Sequence, residues 1–411
     1  MYRRTRRFPV ALRRRGLLAV VAASALLAPL AAVSSSADAE VVARGNPGGN
    51  RAVPTEHNVP FSTRWSADIH GTITSVGNSI VTCDPTKPKR EADAPDCLTA
   101  RQQVPPTVGT RAGRNNDYWM QYINIDGPGH KGPLGDPVYS SSSAEFKLPH
   151  NSEVKFARLY WGGTYGIVIP HLHVNVQKTI DQVDEVYFRT PKTHGYVNVK
   201  RDTAIGFDAT DPDHSYGTSA DVTDLVKAGG DGTYEVADVD TALAVDSWGG
   251  WSLVVGYENC DKPLRHLQVW DGYQHQAIRS GKTVSVALSG LHTPDSGTVG
   301  LRLGQITYDG DRGWGDRVNV IPDKGSPFAL GDALSPTDDV QNSVLANNDP
   351  NDSNYRWHRN PDYANTLGYD NHRFLLDGML ANGTSRLTID YPSTGEGTNI
   401  GAVYAVVDLA H

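Results

Sequence analysis

Apolar and polar residues alternate most clearly between Asp246 and Tyr273, DSWGGWSLVVGYENCDKPLRHLQVWDGY. Trp251, Leu253, Val255 and Tyr257 fall on one face and Ser252, Val254, Gly256 and Glu258 on the other, the period-2 pattern of a strand. Asn259 to Pro263 carry turn chemistry, and Leu267 and Val269 resume the alternation until Asp271-Gly272 breaks it. An apolar run at Val154 to Trp161 predicts a third strand, paired with Ala144 to Leu148 across the turn Pro149-His150-Asn151. These segments predict the centre of a β-sandwich.

Shorter strands are predicted at Glu185 to Arg189 and Gly232 to Ala237, and further on at Thr283 to Leu288, Val299 to Tyr308, Arg317 to Ile321, Ser385 to Tyr391 and Ala402 to Leu409. Ile69, Ile73, Val76, Ile80 and Val81 surround a Gly77-Asn78 pair that predicts a turn. One short helix is predicted at Asp221 to Lys227, with Asp221 as cap, Val222, Leu225 and Val226 as its apolar face, and Gly229 as its stop. The fold class is therefore all-β: two β-sandwich, jelly-roll-like domains with one short helix. The domains are expected at 64–275 and 276–411, divided near Gln274 to Gly281, after a flexible lead-in over 40–63.

The first 39 residues have another purpose. Arg3, Arg4, Arg6, Arg7 and Arg13 to Arg15 precede the apolar Gly16 to Val33, and Ala37-Asp38-Ala39 offers a small-x-small cleavage site. This is the pattern of a secretory signal peptide, with a loose twin-arginine likeness at Arg14-Arg15. Losing a leader with seven arginines and one aspartate takes the formal charge from −8 to −14. Nucleic acid, whose binders need a basic stripe, is excluded as a partner. No second long apolar segment follows, so no stable membrane insertion is expected after processing. In an exported chain, Cys83 and Cys97 are expected to form a disulfide across a Pro/Asp/Lys-rich loop, leaving Cys260 free.

The ordered segments SVGNSIVTC, NNDYWMQYINID, SSSAEFKLPHNSEVKFARLYWGG, ADVTDLVKAGGDGTYEVADV, GGWSLVVGYEN with LQVWDGY, and RNPDYANTLGYDNHRF resemble one module. It is the N-terminal, β-rich region of large secreted actinobacterial-type surface proteins, which precedes tandem repeats of unknown function. The resemblance runs from about Trp65 to the C-terminus, although no repeats follow here. It implies jelly-roll-like β domains and an extracellular or cell-surface setting, and brings no established activity. ADVTDLV before GTYEV is also similar to the short helix of galactose-binding-like jelly rolls, a likeness of scaffold alone.

No HExxH, GxSxG, P-loop or dinucleotide fingerprint is present. Glu258 and Asp271, both near the central strands, are the carboxylates to name as a glycosidase pair. His171 and His173 alternate onto one strand face, the start of a zinc set that would need His194 or Glu185. Calcium is the cofactor that Asp309, Asp311 and Asp316 suggest, and Asp208, Asp211 and Asp213 form a second acidic loop. Between Asp338 and Asn371, fourteen of 34 residues are Asp or Asn, which predicts a surface loop system. Its Tyr355, Trp357 and Tyr363, together with Trp314 in DRGWGD, are the candidate ligand-binding rings. Flat rings beside Asp, Asn and Arg suit the apolar faces and hydroxyls of a sugar. The function expected is non-catalytic binding of a polysaccharide or other cell-surface component. Its rivals are a structural or protein-interaction module and a secreted hydrolase.

Overall fold

The computed structural model describes residues 56–105, 113–169, 172–173, 180–209 and 213–410. The expected signal peptide, His171 with the His173 side chain, and Asp211 with the Asp213 side chain lie outside the described residues. Strand accounts for 47% of the structure and helix for 5%, so the chain is all-β.

One strand, Val59–Ser79, organises the rest. Its first half is half-exposed, and Gly71 to Ser79 is buried throughout. Leu264–Gln276 pairs antiparallel with the first half, Leu264 opposite His70 and Tyr273 opposite Val59. Gly249–Glu258 pairs with the second half, Gly250 opposite Ser79 and Glu258 opposite Gly71. The two strands legible in the sequence are thus successive partners of one long strand. That strand begins inside the expected lead-in, because Val59 to Thr63 find ladder partners on Leu264–Gln276.

Gly77-Asn78 is no turn. It lies inside the long strand, where a Cβ on residue 77 would meet Trp251 O at 2.3 Å. Glycine permits the close approach of two backbones there, not a reversal. Ser141–Phe146 and Glu153–Ile169 also do not pair with each other. The second joins Asp213–Asp221 and Gly249–Glu258, and the first enters a separate five-stranded sheet. Asn151, with φ 60°, lets the link between them change layers.

The long strand lies near the middle of a 12-stranded sheet. Beyond Leu264–Gln276 that sheet continues through Thr398–Asp408, Leu301–Tyr308, Tyr369–Leu375 and Leu345–Asn347. The border expected near residue 275 therefore falls on the end of a strand, and the sheet continues across it. Each side of the sheet carries its own apolar cluster. On Thr398–Asp408, Ala402, Tyr404 and Val406 point into one cluster and Val403, Ala405 and Val407 into the other. Burial on both faces explains why this strand reads as a continuous apolar run without alternation.

The first cluster lies against the five-stranded sheet. Trp251 Nε1 donates to Ser142 Oγ at 2.9 Å and Asn78 Nδ2 to Ser143 O at 3.0 Å. The second is closed by a four-stranded sheet containing Thr283–Ser289 and Arg386–Pro392.

Two α-helices are present among the described residues. Thr223–Gly229 starts two residues after its expected position, and Asp221 Oδ1 accepts the Thr223 amide at 2.8 Å. Cys97–Gln102, capped by Asp96, was hidden in a segment too short for helical periodicity. Cys83 and Cys97 are disulfide-bonded and Cys260 is free and exposed.

Two outcomes are expected. Gly77→Ala should cost about 1–3 kcal/mol through overpacking, read as a lower denaturation midpoint. Non-reducing peptide mapping should give one Cys83–Cys97 cross-link with Cys260 alkylated, and opening that loop of about 15 residues should cost roughly 3 kcal/mol.

Candidate functional site

The loop Asp309 to Asp316 is fastened by Arg312. This buried side chain donates from Nε to Asn342 O at 3.0 Å, and through its terminal nitrogens to Gln103 O at 2.6 Å and Ala364 O at 3.0 Å. Burial lowers its pKa to about 10 against the opposing fields of Asp370 and Asp339. Three loops are thereby tied to one guanidinium. Asp316 spends its carboxylate on the Val340 and Gln341 amides, and Gly313 N donates to Asp339 Oδ1 at 2.9 Å.

Between these ties the chain turns through Gly313 (φ 79°) and Gly315 (φ 82°), and the residue between them is pushed outward. That residue, Trp314, is 48% exposed, with the Arg114 guanidinium 4.7 Å from its ring centroid. Arg114 Nε is itself held by Arg312 O at 2.9 Å. Tyr363, next to the Ala364 carbonyl that Arg312 binds, is half-buried under the Arg101 guanidinium at 5.0 Å. Trp314 and Tyr363 therefore sit on loops sharing one anchor.

The other two rings do not join them. Tyr355 is 36% exposed beneath the Arg356 guanidinium, on a segment pinned elsewhere through Asn354 and Lys147. Trp357 is core. It is 8% exposed, packs in the first apolar cluster, and donates from Nε1 to Gly77 O at 3.2 Å.

The Asp/Asn-rich segment differs from its expectation for a related reason. Eight of its fourteen Asp and Asn residues are buried, so it is an inner scaffold more than a surface loop system. Asp370 Oδ1 accepts the Asn342 and Val344 amides, and Asp349 bridges Arg302 and Arg373. Asn371 links Ser75 to Ser252. Short polar side chains substitute for the ladder partners that an irregular backbone lacks.

The acids proposed for calcium part company. Asp316 serves amides, and Asp309 Oδ1 accepts Asn115 Nδ2 at 2.9 Å. Asp311 is 4% exposed and its Oδ1 has no hydrogen-bond partner. Its amide donates to Glu396 Oε1 at 2.6 Å, and Glu396 Oε2 is likewise unpartnered and buried. Burial first, then Asp309 and Asp246, pushes Asp311 well above the carboxylate range, and burial with Asp311 does the same to Glu396. Glu396 has no local signal in PSTGEGTN, because its partner Asp311 is 85 residues away in sequence. Among the described residues, no three His, Cys, Asp or Glu side chains converge as a complete metal cage.

Hydrolytic geometry is not assembled from the residues named for it. Glu258 lies opposite Gly71 and Asp271 opposite Ser62. Nine residues of strand put them roughly 30 Å apart, far beyond a glycosidase pair. Asp271 instead accepts Arg64 and Tyr160 in a buried network, and Glu258 meets Lys155 at 2.8 Å. Ser335, His372 and Asp332 do form a line, Oγ to Nδ1 at 2.9 Å and Nε2 to Oδ2 at 2.8 Å. Ser335 is fully buried, so this line braces loops and offers no nucleophile to solvent.

No family model and no curated protein matches the chain. Among solved structures, it is similar to BpGH86A, a β-porphyranase of glycoside hydrolase family 86 from the human gut bacterium Bacteroides plebeius. The identity is 11% and the TM-score 0.20, over 72% of this chain and 38% of that one. The chain thus spans well under half of that enzyme's length, and a likeness at this level carries no inference about activity.

Two measurements check the placements. Trp357→Ala should cost about 3–5 kcal/mol and lower the melting temperature sharply, as a core truncation does. The second concerns pH. Burial raises Asp370 to about 7 in the fold, against about 3.9 unfolded, so the folded state holds an extra proton between those values. Its stabilisation is complete below pH 4 and lost as pH rises through 7, by about 4 kcal/mol at most. Asp332 and Asp349 work oppositely. Burial would raise both, but His372 and the Arg373–Arg302 pair respectively hold them at about 2, so their stabilisation is lost on acidification toward that value. Asp370→Asn should flatten the decline between about pH 4 and 7 in denaturation midpoints and leave the acid limb of Asp332 and Asp349 in place.

Proposed function

We propose that this is a secreted, non-catalytic β protein that binds extracellular or cell-wall material, with a glycan as the ligand class, through the loop bearing Trp314. One observation carries the reading: an indole held out to solvent between two left-handed glycines, on a loop fastened from beneath by Arg312 and backed by Arg114. A preorganised ring loses little freedom on stacking against a sugar face, while the Arg114 guanidinium against it offers polar groups to hydroxyls. The signal-like N-terminus, the disulfide and the acidic mature charge support an oxidising, extracellular setting. No helix among the described residues is long and apolar enough to cross a membrane. The resemblance to secreted surface modules points the same way.

A protein-interaction role is the second reading, favoured by the exposed Leu98 and Val104 at the end of the disulfide-linked segment. Pull-down on insoluble polysaccharides and cell walls separates the two. Wild-type protein should be retained, and Trp314→Ala should bind several-fold more weakly with an unchanged melt, since one stacking ring contributes about 1 kcal/mol. Wild-type protein that binds none of these materials would hand the case to the interaction reading.

A further inference from the structure

The loop that presents Trp314 also crosses the Glu396 segment, at a point where negative charge is concentrated. Gly395 N donates to Gly315 O at 3.1 Å, and a Cβ at residue 395 would meet Trp314 O at 2.3 Å. Only glycine lets the backbones approach so closely, and the approach brings Glu396 onto the Asp311 amide. Asp309 is two residues from Asp311, and Asn115 ties it to the turn carrying Asp246 through Asp246 N to Asn115 O at 3.3 Å.

Carboxylates buried side by side need either protons or a cation. Arg114, the basic side chain held over this loop, has its Nε engaged by the Arg312 carbonyl while its guanidinium covers Trp314. A second observation points to a ligand more directly. Asp311 Oδ1 and Glu396 Oε2 are oxygens without hydrogen-bond partners, on side chains more than nine-tenths buried, and the two residues meet where the Asp311 amide donates to Glu396 Oε1. Buried acceptors are nearly always satisfied, and a pair left over in one cluster calls for an electropositive occupant.

We propose that Asp311 and Glu396 bind a calcium ion at the crossing of the Asp309–Asp316 and Ser393–Thr398 segments. Two carboxylates are enough for a hard cation that draws the remainder of its six to eight oxygens from backbone carbonyls, amide side chains and water. Calcium suits the site better than zinc, because every donor here is oxygen and no His or Cys contributes. Asp316, named from sequence alone, is outside the set because its oxygens are committed to Val340 and Gln341. The site is independent of what Trp314 binds.

The test uses the full chain, stripped with EDTA and dialysed, then titrated with calcium chloride in a calorimeter and melted with and without the ion. Wild-type protein should bind about one calcium with a Kd of about 0.1–1 mM, as extracellular modules do, and melt at a higher temperature in saturating calcium. Asp311→Asn and Glu396→Gln keep the shape and remove a charge, so each should fold without calcium and bind it at least tenfold more weakly. The proposal is overturned if wild-type protein gives neither heat nor a melt shift at about 10 mM calcium, or if both variants respond like wild type. The wild-type titration decides the matter alone should either variant fail to fold.

Discussion

Nine consecutive residues, Gly71 to Ser79, have no water on either face, and the architecture follows from satisfying them. Their backbone bonds run to Gly249–Glu258, but their side chains include Thr72, Thr74, Ser75, Asn78 and Ser79, polar groups that are costly to bury without partners. All but Ser79, whose Oγ has no partner among the described residues, are met from another layer, Thr72 by Arg373. Ser75 reaches Asn371 and Tyr404, Thr74 reaches Asp352, and Asn78 reaches the carbonyls of Ser143 and Pro361. These bonds span up to 329 residues of sequence, so they fix which layers can stack and in what register.

The same requirement explains the Asp/Asn-rich segment. Arg302 and Arg373 are buried, and a buried guanidinium is tolerable only with carboxylate and carbonyl partners in good geometry. Asp349 serves both, and Asp352 adds to Arg373 at 3.2 Å. A stretch that looks solvent-loving is therefore rich in acceptors because it lines a charged interior. Of its rings, it leaves Tyr355 and the half-covered Tyr363 for the surface.

How far the chain could be read in advance depended on the range of the interactions involved. Strands such as Gly249–Glu258, Gly232–Ala237 and Arg386–Pro392 declare themselves, since alternation and turn residues are local. The Cys83–Cys97 bridge was legible for the same reason, through spacing and compartment. Gly77-Asn78 misled because its glycine answers to Trp251, nearly two hundred residues away. Trp357 misled because its burial is set by Gly77 O, and no neighbour in sequence reports that. Of the candidate site, Trp314 and the acids of its loop were visible in DRGWGD, whereas Arg312 as anchor and Glu396 as partner exist only through the crossing of distant loops.

The long strand has a further consequence, for how the molecule comes apart. Its two halves belong to ladders on opposite sides of the middle of the sheet, Gly71 to Ser79 with Gly249–Glu258 and Val59 to His70 with Leu264–Gln276. Neither group of strands can melt without baring an unpaired edge on the other. Loss of order in one half should therefore propagate through the shared strand, giving one cooperative transition under heat or force. A fragment ending near residue 276 would keep the strand but uncover the ladder that Thr398–Asp408 normally closes, leaving a long apolar edge open to self-association.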